Sequence, residues 1–209
     1  LKSIPGGGGE IFASAVRRKI GLGKCNADTW LTVMHVAHEL GMNTSATMMF
    51  GHIEGIADRI HHMDLVRKWQ DKSLSDFERD GGGRYMAFIS WPFQRENTPL
   101  GRLPDWDDEG DFPGDVVAQL DGNGEKSADT DFGRRLRLAG ASAYLRTQAI
   151  SRLMLDNIYS IGASWVTMGP HVGQLALSFG ANDMGSVMME ENVVSAAGTT
   201  YCLSEPVLC

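Results

Sequence analysis

Cysteine is scarce: Cys25, Cys202 and Cys209 are the three in 209 residues. An odd number at such wide spacing supplies neither a disulfide framework nor a CxxC metal pair, and reduced thiols in a cytoplasmic protein are the expectation. Basic residues are outnumbered, 19 Lys and Arg against 26 Asp and Glu for a net charge of −7, and they are scattered rather than striped. That balance argues against a nucleic-acid partner. No apolar run approaches the ~20 residues of a membrane span, and no charged-then-apolar leader opens the sequence, so no membrane partner is expected. Two catalytic signatures are missing as well. Without a GxSxG nucleophile elbow, an α/β-hydrolase is disfavoured. Without GxxxxGK[ST] there is no triphosphate loop, because "GLGKC" at Gly21 has the lysine but neither the hydroxyl residue nor the spacing.

Glycine, by contrast, is plentiful, and four of the 25 are consecutive in "SIPGGGGEIF", residues 3–12. Ordering glycine costs more backbone entropy than ordering any other residue. An ordered run therefore implies a sharp turn or a backbone lying directly against something, the alternative being a floppy terminus. Glu10, held by those glycines, suits a cationic or hydroxyl-bearing ligand such as an amino group or a ribose diol. Its other reading is a charge at a helix N-terminus. Leu1 stands where a methionine would start a chain, which suggests a fold entered partway through.

Helical spacing follows in "EIFASAVRRKI" (Phe12, Val16, Ile20) and in "NADTWLTVMHVAHELGM". There Asn26 is the cap, Trp30, Val33, Met34, Ala37 and Leu40 the apolar face, and Gly41 the stop. "NTSATMMFG" reads as a buried strand, and "IEGIADRIHHMDLVRKWQDK" as a helix burying Ile53, Ile56, Ile60, Met63 and Trp69. "GGGRYMAFISWPF" feeds a second strand. "ASAYLRTQAISRLMLD" is a helix, "SIGASWVTMG" a strand, and "PHVGQLALSFG" a helix from Pro170 to Gly180. "ANDMGSVMMEENVV" reads as a last strand. Apolar strands alternating with helices predict an α/β fold whose parallel sheet is covered on its faces, doubly wound or a (β/α) barrel. Residues from about 101 to 140, acidic and glycine-rich, read as a surface insertion.

Candidate chemistry gathers where strands end and helices begin, the ligand-binding end of parallel folds. "TMMFGHIE" places Thr47, Met49, Gly51 and Glu54 there, although Glu54 also suits a first-turn charge. Trp165, Thr167, Asn182, Asp183, Glu190 and Glu191 fall at the ends of the last two strands. Glu190 and Glu191, adjacent, point oppositely on a strand and make a poor acid/base pair. His35 and His38 read as surface or packing residues rather than metal ligands, and His61 and His62 as ordinary helix surface.

The five stretches "SIPGGGGEIF", "SATMMFGHIE", "AFISWPFQRENTPL", "GASWVTMGP" and "FGANDMGSVMMEENVVSAAG" together resemble the radical S-adenosylmethionine enzymes of the futalosine route to menaquinone. The likeness runs from residue 3 to residue 202, apart from the acidic insertion. "SIPGGG" favours the branch that cyclises dehypoxanthine futalosine over its siblings, the aminofutalosine and deazaflavin-forming synthases. The family fold is a (β/α)8 TIM-type barrel, and the resemblance implies that this chain is its C-terminal part, from the end of strand 4 to strand 8. It implies S-adenosylmethionine as cofactor, with Glu10, Thr47, Met49, Gly51 and Glu54 along it. Thr47 stands where the family's fifth-strand motif has glycine. Trp165, Thr167, Met168, Asn182 and Asp183 are implied to face a small nucleoside-like substrate, and an external one-electron reductant is the implied partner.

One departure stands out. The family's [4Fe–4S] cluster needs a CxxxCxxC loop, which this sequence lacks, so the cluster ligands are not in this chain and it is expected to be inactive alone. A non-catalytic nucleoside-binding half-barrel is the alternative of another class. Open strand edges further imply a poorly soluble or incompletely folded fragment.

Overall fold

Four apolar segments form one parallel sheet in the computed structural model, in the order β1 (Ser3–Ile4), β2 (Asn43–Phe50), β3 (Tyr85–Pro92) and β4 (Ser160–Gly162). The structure describes residues 2–21, 23–77, 81–107, 110–116, 131–187, 192–204 and 206. Between the strands lie α1 (Ser14–Ile20), α2 (Ala27–Glu39), α3 (Ile56–Phe77), α4 (Pro113–Val116) and α5 (Ala141–Met154). After β4 come α6 (Trp165–Met168), α7 (Pro170–Leu177) and α8 (Asn192–Ala196).

Side chains alternate across a strand, so the register decides what each face does. Ala46, Met48, Phe50, Phe88 and Ile161 share one face and fill the main core with Met63, Val66 and Tyr144 of α3 and α5. Each large side chain fully withdrawn from water there contributes about 1.5–3 kcal/mol. The alternate set is Ser45, Thr47 and Met49 of β2, Ala87, Ile89 and Trp91 of β3, and Ser160 and Gly162 of β4. These are less deeply buried on average, and Ala87, Ile89, Trp91 and Gly162 line a cavity instead. The α/β expectation is met, with one sheet face packed in the main core and the other opening on that cavity.

Several helix faces differ from their expected ones. Asn26 caps α2 as expected, its Oδ1 accepting the Thr29 N–H at 2.8 Å. But α2 buries Trp30, Leu31, Met34, Ala37 and His38, leaving Val33 and Leu40 52% and 69% exposed. The buried stripe of α3 is largely polar: Asp58, Arg59, His62, Met63, Val66, Gln70 and Ser73. Gln70 explains why, since its amide bonds both backbone groups of Tyr85 (2.8 and 2.9 Å) at the start of β3. His62 is not helix surface: it is fully buried and stacked on Phe12 with ring centroids 3.9 Å apart.

Two predicted strands are corrected. "SIGASWVTMG" is a strand only to Gly162, after which Trp165–Met168 turns helical as α6. The Ser164 and Thr167 hydroxyls lie 2.7 Å apart and close that turn. "ANDMGSVMMEENVV" makes one parallel bridge, Gly162 to Asp183. The Asp183 carboxylate then accepts the Gly185 N–H at 2.7 Å, and Gly185, at φ +71°, leads the chain out of the ladder. Residues 188–191, including Glu190 and Glu191, lie outside the described residues.

The acidic stretch is fastened at both described ends. Arg95 pairs with Asp105 (2.6 Å), Arg135 with Asp107 (2.9 Å) and Arg137 with Asp115, while the Arg137 N–H donates to the His52 carbonyl at 2.9 Å. Residues 117–130 lie outside the described set.

Candidate functional site

The glycine run is ordered, and it lies against β2. A Cβ on Gly6 would stand 2.1 Å from the Ser45 carbonyl oxygen, and one on Gly9 would stand 2.4 Å from that of Thr47. Backbone therefore meets backbone at a distance only glycine permits. Hydroxyls of the strand complete the join. Ser45 Oγ accepts the Gly6 N–H at 2.8 Å, and Thr47 Oγ1 donates to the Gly6 carbonyl at 2.6 Å. From the other side, the Trp30 indole donates to Gly7 (3.1 Å) and the buried Arg17 guanidinium to Gly8 and Gly9 (3.0 and 2.6 Å).

Glu10 follows at φ +48°, a left-handed conformation that costs a non-glycine residue on the order of 1 kcal/mol. It does not cap a helix, because α1 starts only at Ser14. Its side chain is 11% exposed; Oε1 meets Lys24 Nζ at 2.5 Å, and Oε2 is buried with no hydrogen-bond partner. The Glu10 carbonyl accepts the Met49 N–H at 3.2 Å, which places the residue beside the outer end of β2.

Glu54 is the opposite case. Oε1 accepts the Gly51 N–H (2.6 Å) and the Arg59 guanidinium (2.7 and 2.8 Å), while Oε2 accepts the His52 N–H (2.8 Å) and lies 2.9 Å from the His52 ring. Burial alone would raise its pKa. The neighbouring His52, the Arg59 guanidinium and these hydrogen bonds outweigh that and hold the carboxyl well below the usual range. Glu54 thus acts on the β2–α3 loop from inside. Gly51, at φ +84°, could not carry a Cβ, which would stand 2.7 Å from Ala139.

Thr47, Ile89, Gly162 and Asp183 form one row across the sheet, each registered on the next. Met49 and Trp91 form the row above it. The cavity on this face has a volume of about 480 Å³ and is walled mainly by Ile89, Trp91, Trp165, Val166 and Met184, with Ser164, Thr167 and Asp183 as polar points. Trp165, Thr167 and Asp183 therefore converge. Met168 sits at the end of α6 and packs against the main core. Asn182 is occupied in holding β4: its Oδ1 accepts the Ile161 N–H and an Arg152 N–H at 2.8 Å each, and its amide donates to Tyr159 at 2.9 Å. Asp183 accepts from Ser160 Oγ at 2.9 Å as well as from Gly185.

Sequence reasoning missed Arg17, Ile89, Trp91 and Ser164. Ile89 and Trp91 were readable, being i and i+2 with Ala87 in "AFISWPF"; the Arg17 contacts are long-range and left no local sign.

The chain's C-terminal residues 127–207 match the family described as the CofH/MqnC C-terminal region. Over 96% of its length the chain is 38% identical to the cyclic dehypoxanthine futalosine synthase of Halalkalibacterium halodurans, covering 43% of that protein. It is 35% identical to the aminodeoxyfutalosine synthase of Thermus thermophilus over 95% of its length and 43% of the relative. It is also 34% identical to the 5-amino-6-(D-ribitylamino)uracil–L-tyrosine 4-hydroxyphenyl transferase of Methanothermobacter thermautotrophicus, over 96% of its length and 45% of the relative. The chain spans less than half the length of these curated relatives.

Proposed function

Because residues 127–207 match the family described as the CofH/MqnC C-terminal region, we propose that the chain is the rear part of a (β/α)8 radical S-adenosylmethionine barrel that cyclises dehypoxanthine futalosine. The barrel portion would run from the end of strand 4 to strand 8, with acidic residues near 101–140 inserted. The observation that carries this reading is the row Thr47–Ile89–Gly162–Asp183. It gathers residues from three strands and the Asp183 bridge on the cavity face of a parallel sheet, with Met49 and Trp91 next on that face toward the end where such folds bind ligands.

S-adenosylmethionine fits what is present. Glu10 offers a buried carboxylate oxygen without a partner, suited to a cationic group, and Met49 donates its N–H to the Glu10 carbonyl. When bound, that cofactor supplies the hydrogen-abstracting chemistry. The [4Fe–4S] cluster does not fit. Cys25 and Cys202 are exposed and far apart in sequence, and no CxxxCxxC exists, so no step of this chain runs through a cluster.

The chain's own residues hold, orient and dry. Ile89, Trp91, Trp165 and Val166 keep water from the cavity, Ser164, Thr167 and Asp183 offer hydrogen bonds to substrate hydroxyls, and Glu54 fixes the Gly51–His52 backbone. Supply the protein that contains this chain with S-adenosylmethionine, a one-electron reductant and, in separate reactions, dehypoxanthine futalosine or the enolpyruvyl substrate of aminofutalosine synthesis. Cyclic product from the first alone is expected; turnover of the second alone assigns the chain to the sibling activity.

A further inference from the structure

A second cavity, of about 290 Å³, opens between α3, α5 and residues 137–139, and shares no lining residue with the first. Its walls are Ile56, Ile60, Met63, Leu138, Ala143 and Ile150, and three arginines, Arg59, Arg137 and Arg146, border it. Ile56 and Leu138 stand 54% and 40% exposed at it. Apolar side chains this open to water leave surface that the apolar body of a ligand would cover.

The charges around it do not cancel. Arg59 is neutralised by Glu54, and Arg137 by Asp115 while lying 4.3 Å from the Phe112 ring centroid. Arg146 meets no carboxylate among the described residues and is exposed. Among the described residues, three guanidiniums against two carboxylates leave one positive charge beside an apolar hollow about ten water volumes in size, at ~30 Å³ per water.

We propose that this crevice binds a small amphipathic monoanion, its carboxylate at Arg146 and its apolar body against Ile60 and Leu138, and that binding there is felt by the β2–α3 loop. The connection is short. Arg59 lines the crevice and grips Glu54, which holds the Gly51 N–H at 2.6 Å. Ala139, on the same lining, is the residue that leaves Gly51 no room for a side chain. A ligand that shifts either one shifts the β2–α3 loop, and the coupling works in both directions.

Benzoate, with benzamide as its neutral counterpart, tests this on the full chain carrying labelled methionine methyls and backbone amides. Benzoate is expected to move the Met63 methyl and the Gly51 amide saturably and together, with benzamide at least about tenfold weaker. Arg146→Gln should weaken benzoate about tenfold and leave benzamide unchanged. Because Arg146 is exposed, its variant keeps the native spectrum. Ala143→Trp, which fills the hollow, should abolish both responses. Equal binding of the two probes, an unaffected Arg146→Gln, or a Met63 methyl that stays still overturns the site. A Gly51 amide that stays still while Met63 moves overturns the coupling.

Discussion

Two buried carboxylates stand at the same end of the sheet, Glu54 after β2 and Glu10 beside it, and their surroundings are opposites. Glu54 has its oxygens engaged by two backbone N–H groups and a guanidinium. Glu10 has one oxygen on a half-exposed lysine, one oxygen on nothing, and a backbone held at φ +48°. A saturated carboxylate belongs to the architecture. An under-used one, in a strained conformation beside a cavity face, is kept for something that arrives. The same contrast runs along the glycines: Gly6 and Gly9 are jammed against β2, while a Cβ on Gly7 would meet nothing within 4 Å.

The sharpest way to break this contrast is Glu54→Ala. It strands a buried Arg59 and two loop N–H groups, so unfolding in denaturant should show a loss of about 3–5 kcal/mol. Next comes Gly6→Ala, which forces β1 and β2 apart and should lose about 1–3 kcal/mol, against less than about 0.5 kcal/mol for Gly7→Ala. Equal effects at the two glycines would mean that close approach is not what the run is for.

Acid supplies a third comparison, on the histidine under the same turn. Burial is the main cause that takes the His62 pKa from 6.5 down to about 3, while the Thr47 carbonyl pulls the other way and is outweighed. His38 behaves alike, burial first and then the neighbouring His35 lowering it to about 4. The unfolded chain therefore binds more protons than the folded one below pH 6.5. The stability these two groups supply should fall by up to ~1.4 kcal/mol per pH unit each, for His38 as pH drops toward about 4 and for His62 toward about 3, and stay level above 6.5. Glu54 adds a further loss below the ordinary carboxylate range, its folded-state pKa being depressed. His62→Phe should flatten part of that slope, measured as denaturation midpoint against pH. Glu10→Gln should cost little stability, under about 1 kcal/mol for a pair with a half-exposed lysine. Its calorimetric signature should instead be about tenfold weaker binding of a cationic ligand.

Much of this was legible because local chemistry carried it. Asn26 announces α2, Gly41 its end, and "NTSATMMFG" a strand, since caps, stops and apolar runs act within a few residues. The glycine run was legible as a close approach, though not as one made to β2, which lies some forty residues on. What misled the reading was non-local. Val33 and Leu40 fit the helical period but lie off the packed face, and the polar stripe of α3 is buried because Gln70 finds Tyr85 in another element. Thr167 and Met168 read as strand because apolar, β-branched composition hides a turn that the Ser164 and Thr167 hydroxyls close. At the candidate site, positions in the register were readable, whereas the saturation of Glu54 and the spare oxygen of Glu10 emerge only once the chain is folded.

After the two residues of β1, the chain runs on beside β2 with its glycine carbonyls already taken. Carbonyls of Gly6, Gly7, Gly8 and Gly9 are engaged by Thr47, Trp30 and Arg17, and the Gly6 N–H by Ser45. Four carbonyls tied in this way turn the costliest residues to order into a stiff mount, and that mount fixes where Glu10 stands beside β2.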